Sequence, residues 1–194
     1  MSDDPAETAV EAKEKDRTVA LVIAILALLL ALTEAGAKRS EHLSMESNIE
    51  ASDLFNFYQA KRVRSTVVET AAELLEAQKA AVADPKAQEA FDKQIEAFKA
   101  TAARFEHDPK KPEDSMEALQ KRADAATEAR EMANHRLERY ELGSGLTQIA
   151  IVLASAAIIT DIGALIWLSV GLGAVGAMLM ALGFFAPTAL AFLG

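Results

Sequence analysis

The three histidines, His42, His107 and His135, are the side chains of this sequence best suited to metal binding or proton transfer. A carboxylate-bridged metal centre in a helical bundle needs paired Glu-x-x-His motifs on facing helices. Glu131 lies four residues before His135 and Glu138 three residues after it, but neither spacing recurs at another histidine. These spacings are typical of neighbours on a solvated helix face. We therefore predict no metal site, no cofactor and no catalytic residues.

Cysteine chemistry is excluded because the chain contains no cysteine. Disulfides, thiolate metal sites and cysteine nucleophiles are therefore impossible. With no nucleophile–base pair in the sequence either, we expect a protein that is not an enzyme.

The run GLGAVG at 171–176 has the glycine spacing of a dinucleotide-binding loop. That loop requires a preceding strand and a later acid, and neither is present. Small residues instead recur every four positions, a spacing that lets helices approach closely in lipid. We predict that such faces either close two spans on each other within one chain or pack between subunits. The predicted packing residues are Ala150, Ala154, Ala157, Ser169, Gly173, Ala177 and Ala181.

Asp161 is the only side-chain charge after Glu141. Acids within a membrane often bind ions or relay protons, so Asp161 is a candidate ion or polar site. Its position between two apolar runs also fits a turn near the lipid headgroups. There it would be a solvated or helix-capping acid.

Asp161 is positioned by two apolar runs that flank it, 143–160 and 164–186. A bilayer core of about 30 Å takes about 20 helical residues, so each run is long enough to span. An uncharged run at 18–33 predicts an earlier span, over 18–36. A signal peptide would need a basic start, whereas residues 1–17 carry six acids against three bases. The sequence thus predicts an all-α integral membrane protein with three transmembrane helices.

Between the first two spans, residues 37–142 are polar and rich in helix formers, and Pro85, Pro109 and Pro112 divide them. Since both ends of this region join spans at one membrane face, the chain must travel out and return. We predict a long, coiled-coil-like helical hairpin whose returning limb bends between the last two prolines. A folded three-helix arrangement is the alternative, if the first helix breaks near Ser52-Asp53. The predicted hairpin core comprises Phe91, Ile95, Phe98, Phe105, Leu119, Leu137 and Tyr140.

The first helix of the hairpin is predicted from apolar residues that recur near helical spacing. At its far end, Asp84-Pro85 predicts an N-cap and first helical residue. The apolar residues in question are Leu54, Phe57, Val63, Val67, Ala71, Leu74 and Ala81.

Two tails and one hinge complete the predicted domain organisation. Residues 1–17 are predicted to be an acidic disordered tail, and 187–194 a C-terminal tail. Gly143 and Gly145 are predicted to form a hinge between the hairpin domain and the second span.

Charge gives the expected partners and orientation. The net charge of −9 argues against nucleic acid, because phosphate binding needs a basic face. Lysines and arginines near the spans are more numerous in the hairpin domain than on the opposite side, which favours a cytoplasmic hairpin domain. The alternative is a first span oriented by Lys13, Lys15 and Arg17, with the domain exported.

Three segments of the chain resemble a known family: IEASD at 49–53, YQAK at 58–61 and QIAIVLAS at 148–155. They are similar to the bacterial membrane proteins catalogued as domain of unknown function 4337, and the likeness runs from the first span to Phe185. Leu54-Phe55 stands where relatives often carry a tryptophan, which keeps an apolar side chain. The resemblance implies three spans with an intervening helical domain, in a bacterial inner membrane, and it implies no activity.

We expect a structural or interaction protein: a membrane-anchored helical stalk that self-associates as a homo-oligomer and presents its hairpin to a protein partner. Membrane lipids are the other expected partners. An oligomeric channel for ions or small solutes, with Asp161 near its mouth, is the alternative. Few polar residues are available in the spans to line such a pore.

Overall fold

The computed structural model describes the backbone of residues 5–189 and the side chains of residues 17–189. These residues form four α helices: α1 (Pro5–Ala80), α2 (Pro85–Glu106), α3 (Met116–Thr160) and α4 (Gly163–Phe185). A 3-10 turn, Pro112–Asp114, precedes α3, and no strand occurs between residues 5 and 189. The predicted all-α class is confirmed.

Helix α1 differs from the sequence-based prediction at its start. It begins at Pro5, so that 5–17, predicted to be disordered, are helical. This segment is rich in alanine, glutamate and lysine, which favour helix, and it leads directly into the apolar run. Residues 1–4 and 190–194, which belong to the two predicted tails, lie outside the described residues. The helix also continues through Ser52-Asp53, where a break was the alternative.

Helix α3 contains no hinge. It runs continuously through Gly143 and Gly145, and the Thr147 hydroxyl donates to the Gly143 carbonyl at 2.8 Å. Gly143 is buried and close to the backbone of α4, because a Cβ built there would lie 3.1 Å from the Gly176 oxygen. Gly143 therefore serves close packing, and the hinge prediction is wrong.

Capping residues define the breaks around α2. The Asp84 carboxylate accepts from the Lys86 amide at 3.2 Å, with Pro85 as the first helical residue, and so the predicted N-cap is confirmed. Beyond α2, the Lys110 amide donates to Asp108 at 2.9 Å and holds the pKa of that exposed carboxyl below its usual value. The Ser115 hydroxyl then caps α3 by accepting from the Ala118 amide at 3.2 Å.

The chain divides into two compact units, Met1–Met45 with Glu131–Gly194, and Glu46–Arg130. We call the described parts of these the apolar unit (17–45 and 131–189) and the charged unit (46–130). The predicted domain boundaries at 37 and 142 lie inside α1 and α3, since both helices pass from one unit into the other without a break.

In the charged unit, α2 and the start of α3 pack in succession along α1. Near its end, α1 meets α2 through a Glu76–Lys99 ion pair at 2.6 Å and a Lys79–Asp92 ion pair. Earlier on α1, Leu54 packs with Leu119 and Ala123 of α3. Both partners run antiparallel to α1, with the break at 107–115 between them.

The residues predicted to form the hairpin core are buried from solvent to different degrees. In the charged unit Ile95 and Leu119 are buried, at 7 and 1% exposure. Three phenylalanines of α2, Phe91, Phe98 and Phe105, are only half-buried. In the apolar unit Tyr140 is buried and Leu137 half-buried.

The apolar unit contains the stretches suited to a membrane. Three helices, α1, α3 and α4, are long and apolar enough to cross one. Many large apolar side chains on them point outward, among them Leu28 at 63% exposure and Ile159 at 85%. This unit packs through small residues and leaves its bulky ones outside, which is typical of helices that pack in lipid.

Candidate interaction surfaces

Small residues hold α3 and α4 together. Ala150, Ala154 and Ala157 of α3 are almost completely buried, and Ser169 of α4 donates from its hydroxyl to the Ala150 carbonyl at 2.7 Å. A Cβ built at Gly173 would overlap the Leu26 side chain of α1. Five of the seven predicted packing residues are therefore occupied within the chain. Of the two alternatives left open by the sequence, closure within one chain accounts for these five.

The last two residues of the predicted α4 face are not buried within the chain, so packing between subunits remains a prediction for them. Ala177 is half-buried and Ala181 is exposed, whereas Gly176 and Gly183 are buried. A spacing of four residues advances by about 40° around a helix at each step, so a face defined in that way rotates away from its partner. Alternating steps of four and three stay on one side, which selects Ser169, Gly173, Gly176 and Gly183.

Asp161 lies in the two-residue connection between α3 and α4, where it is exposed. Its φ of 56° is the only positive value at a non-glycine residue among residues 5–189. Aspartate tolerates this left-handed conformation better than most residues, and the conformation reverses the chain within two residues. Its place in the fold is thus a turn between helices. The predicted ion site remains a prediction.

The histidines form no metal cluster among the described side chains. His135 lies 3.9 Å from Glu138 on the same helix, an i, i+3 contact at the surface. No three His, Asp or Glu side chains within 17–189 come together in a way that could hold a metal ion.

The inner face of α1 in the charged unit is formed by few of the apolar residues that recur near helical spacing. Every member of a heptad series is buried or half-buried, and small or polar residues occupy several of its positions. Lys61 reaches the Asp114 carbonyl, and Ser65 donates to Glu69 at 2.7 Å. The series, which we call the inner seam, is Ala51, Leu54, Tyr58, Lys61, Ser65, Val68, Ala72, Leu75 and Lys79 of α1, with Val82 just beyond the helix end.

Most of the apolar residues that recur near helical spacing on α1 lie away from its buried face. Leu54 is buried and Ala71 half-buried, but Phe57, Ala81 and the larger apolar residues are exposed. Val63, Val67 and Leu74 are exposed at 62, 64 and 58%. These three belong to a second heptad series on the opposite side of α1. We call it the outer seam: Ala60, Val63, Val67, Thr70, Leu74 and Ala77 of α1, with Ala81 directly after the helix end.

The outer seam is uncharged over 22 residues and every member is exposed. Apolar residues at alternating steps of three and four are the signature of a helix that pairs with another helix. The charges beside it are unevenly distributed: Arg62 and Arg64 flank its start, and Glu69 and Glu73 its middle. The seam is continuous with a cavity of about 660 Å³ that Val63 and Val67 line with Ala123 of α3.

Arg130 of α3 is a half-buried cation. The structure pairs it with an amide in place of an acid: its guanidinium donates to Asn48 at 3.1 Å. Within the described residues its buried Nε has no hydrogen-bond partner. Arg130 thus links α3 to α1 through a hydrogen bond to the neutral amide oxygen of Asn48.

Helices α1, α3 and α4 each contain an apolar stretch long enough to span a membrane, and the chain also has a charged helical unit. This combination defines the class: an all-helical protein with candidate membrane spans. The family model described as domain of unknown function (DUF4337) matches residues 15–186. The chain belongs to this family, as the three segments indicated. No curated protein matches it significantly. No solved structure does either.

Proposed function

We propose that this protein is a membrane-anchored helical stalk that self-associates, a structural or interaction protein of the bacterial inner membrane. The outer seam of α1 is the observation that carries the proposal. The apolar unit is the anchor, and the charged unit supplies the surface on which a second copy docks.

The anchoring rests on the outward side chains of the apolar unit. Trp167 near one end of α4 is 80% exposed, and Phe184 and Phe185 at the other end are 68 and 81% exposed. Tryptophan is enriched where a membrane helix meets the lipid headgroups, so Trp167 fits one membrane interface, and the outward phenylalanines fit contact with lipid tails. Helix α4 has 23 residues, about 34 Å at 1.5 Å each, which suits a bilayer core.

We place the charged unit in the cytoplasm on the positive-inside rule. Since the chain has no cysteine, Lys93→Cys in α2 gives a single reactive site. A membrane-impermeant maleimide should leave it unlabelled in intact cells and label it after the membrane is opened. Labelling in intact cells would reverse the orientation.

Self-association is inferred from the pattern of the outer seam. A soluble helix normally turns its polar side to water, yet this side of α1 presents valine and leucine in a heptad. A second copy of the same seam would cover those side chains on both chains at once. Burying each large aliphatic side chain contributes about 1.5 to 3 kcal/mol relative to leaving it exposed.

Charge favours an antiparallel arrangement of the two copies. In a parallel pair Arg62 and Arg64 of the two copies would lie at the same level along the pair, and so would Glu69 and Glu73. An antiparallel pair brings the basic start of one seam to the level of the acidic middle of the other, which reduces the repulsion between like charges. The two-fold axis then lies near residues 68–69.

Cross-linking in membranes tests this proposal. Thr70→Cys lies near the axis and should form a disulfide-linked dimer on oxidation. Ala60→Cys would be about 25 Å from its own copy and should not, whereas a mixture of Ala60→Cys and Ala77→Cys chains should cross-link. Ala60→Cys dimers as abundant as those of Thr70→Cys would overturn the antiparallel arrangement.

Charge substitutions provide the matched controls. Val67→Glu should abolish the Thr70→Cys dimer, because it places a carboxylate in the seam. Ala90→Glu, the same charge change at an exposed position of α2, should leave the dimer intact. If wild-type protein sizes as a monomer in detergent and no seam position cross-links in membranes, self-association through α1 is excluded.

No observation favours the channel alternative. Three buried hydroxyls of the apolar unit donate to helix carbonyls: Thr33 to Leu29, Thr147 to Gly143, and Ser169 to Ala150. Such hydroxyls are satisfied by backbone and do not form a polar lining. We therefore propose no pore.

A further inference from the structure

A cleft in the apolar unit combines apolar walls with a cationic end. It has a volume of about 660 Å³ and lies between α1, α3 and the end of α4. Leu32, Met180 and Phe184 line the apolar part, and Arg39 and Arg136 provide the only charges among its lining residues. We propose that this cleft binds one anionic glycerophospholipid, with its phosphodiester between the two arginines and its acyl chains along the apolar part.

The two guanidiniums are available to an anion. Neither Arg39 nor Arg136 makes an ion pair with any side chain within 17–189, and none of the lining residues in that range is an acid. The Arg136 Nε is buried, and in this part of the chain it has no hydrogen-bond partner. A buried donor without an acceptor is unfavourable by about 1 to 3 kcal/mol. A ligand that brings an acceptor within reach of this Nε therefore binds more favourably.

The chemistry of the cationic end fits a phosphodiester. A guanidinium presents its donors in a planar fork that matches phosphate oxygens bidentately. Because the cleft has no carboxylate, nothing in it would neutralise the ammonium of a zwitterionic headgroup. The site therefore favours a lipid with net negative charge over a phosphatidylcholine.

The distance between the cationic end and the apolar part of the cleft fits a lipid rather than a free anion. Arg39 lies two helical turns beyond Leu32 on the same side of α1, about 10 Å along the axis. The uncharged run of α1 ends at Thr33, so Arg39 is at the level where headgroups meet protein. Basic pockets between membrane helices are known as sites for anionic headgroups.

This inference rests on the proposed membrane insertion but not on self-association. Failure of insertion would be seen directly, because the protein would leave the membrane fraction after carbonate washing. Loss of lipid selectivity in a protein that stays in the membrane fraction would overturn the cleft alone.

Native mass spectrometry of the full chain in detergent, titrated with phosphatidylglycerol or phosphatidylcholine, tests the site. Wild-type protein should retain one phosphatidylglycerol at least tenfold more tightly than phosphatidylcholine. Arg136→Gln and Arg39→Gln should each weaken phosphatidylglycerol binding about tenfold, and Arg136→Lys less. The matched control is Lys38→Gln, which removes one charge beside Arg39 from a residue that does not line the cleft.

Further variants separate the alternatives. Ala181→Phe keeps both arginines but fills the exposed apolar wall at α4, and should also lose the lipid. Equal retention of phosphatidylcholine, or an equal loss in Lys38→Gln, would overturn the site in favour of general surface attraction. Displacement of the lipid by inorganic phosphate at similar concentration would show a soluble-anion site and overturn the lipid proposal. Arg39→Gln tests the idea even if Arg136→Gln fails to fold, since Arg39 is exposed.

Discussion

Replacing Gly176 with leucine should force α3 and α4 apart and destabilise the apolar unit by about 3 kcal/mol. A Cβ at this position would lie 2.6 Å from the Thr147 hydroxyl and 3.0 Å from the Gly143 carbonyl oxygen. The second contact is with backbone, which a side-chain rotation cannot relieve. Overpacking of this kind typically costs about 1 to 3 kcal/mol. Because two packed helix backbones cannot easily move apart, we expect the loss of stability to lie at the upper end of this range.

Gly171→Leu is the matched control in the same helix. A Cβ at Gly171 meets nothing within 4 Å, so the same substitution should leave the unfolding free energy unchanged or raise it. Reversible unfolding in mixed micelles, followed by helix content, measures both variants. Equal stability of Gly176→Leu and Gly171→Leu would mean that the backbones of α3 and α4 do not approach each other at Gly143.

Replacing Leu119 with alanine should have the largest effect in the charged unit, about 2 to 5 kcal/mol. Leu119 is 1% exposed and packs against Leu54, Ala123 and the half-buried Tyr58. Removing three carbon atoms there loses their burial and leaves a cavity that a helix pair closes only in part. Amide hydrogen exchange of residues 46–130 reports the change locally, whatever happens in the apolar unit.

Ile49→Ala removes the same number of carbon atoms from a side chain of α1 that is 56% exposed. It lies outside the outer seam, so its cost should stay within about 0.5 kcal/mol. If Ile49→Ala accelerated exchange as much as Leu119→Ala, the inner face assigned to α1 would be incorrect.

Periodicity alone predicted the elements where one side of a helix is clearly apolar. The predicted hairpin-core residues of α2 and α3 were found because large residues, such as Phe91, Ile95 and Leu119, recur at helical spacing. All three are buried or half-buried. The Asp84-Pro85 cap could be predicted because its effect is local, involving an amide two residues away.

The inner face of α1 could not be found in the same way, because this segment of α1 has two seams. Hydrophobicity points to Val63, Val67 and Leu74, which are the exposed set, whereas the inner seam contains Lys61, Ser65 and Lys79. The long side chains of lysine can lie inward while their amino groups reach a carbonyl or a carboxylate. Only the contacts with α2 and α3 reveal which seam is occupied.

The α4 face was partly predictable for a different reason. Ser169 and Gly173 were found from small-residue spacing, but Gly176 and Gly183 required alternating steps of four and three. The arginine cleft could not be predicted, since it combines Arg39, Arg136 and Phe184 from three separated helices. Nothing in the local sequence of any one helix indicates that the three meet.

The tight turn at Asp161 has a consequence for how the membrane potential acts on this chain. Only two residues connect α3 and α4. In the proposed membrane insertion both helices therefore enter the bilayer together, and Asp161 is the one side-chain charge that they carry across. In the proposed orientation a carboxylate moves to the outer, positive side. That movement is favoured by about 2.3 kcal/mol for each 100 mV. The electric field of an energised cell would therefore help to insert this helix pair, and would oppose a chain that carried lysine at the same turn.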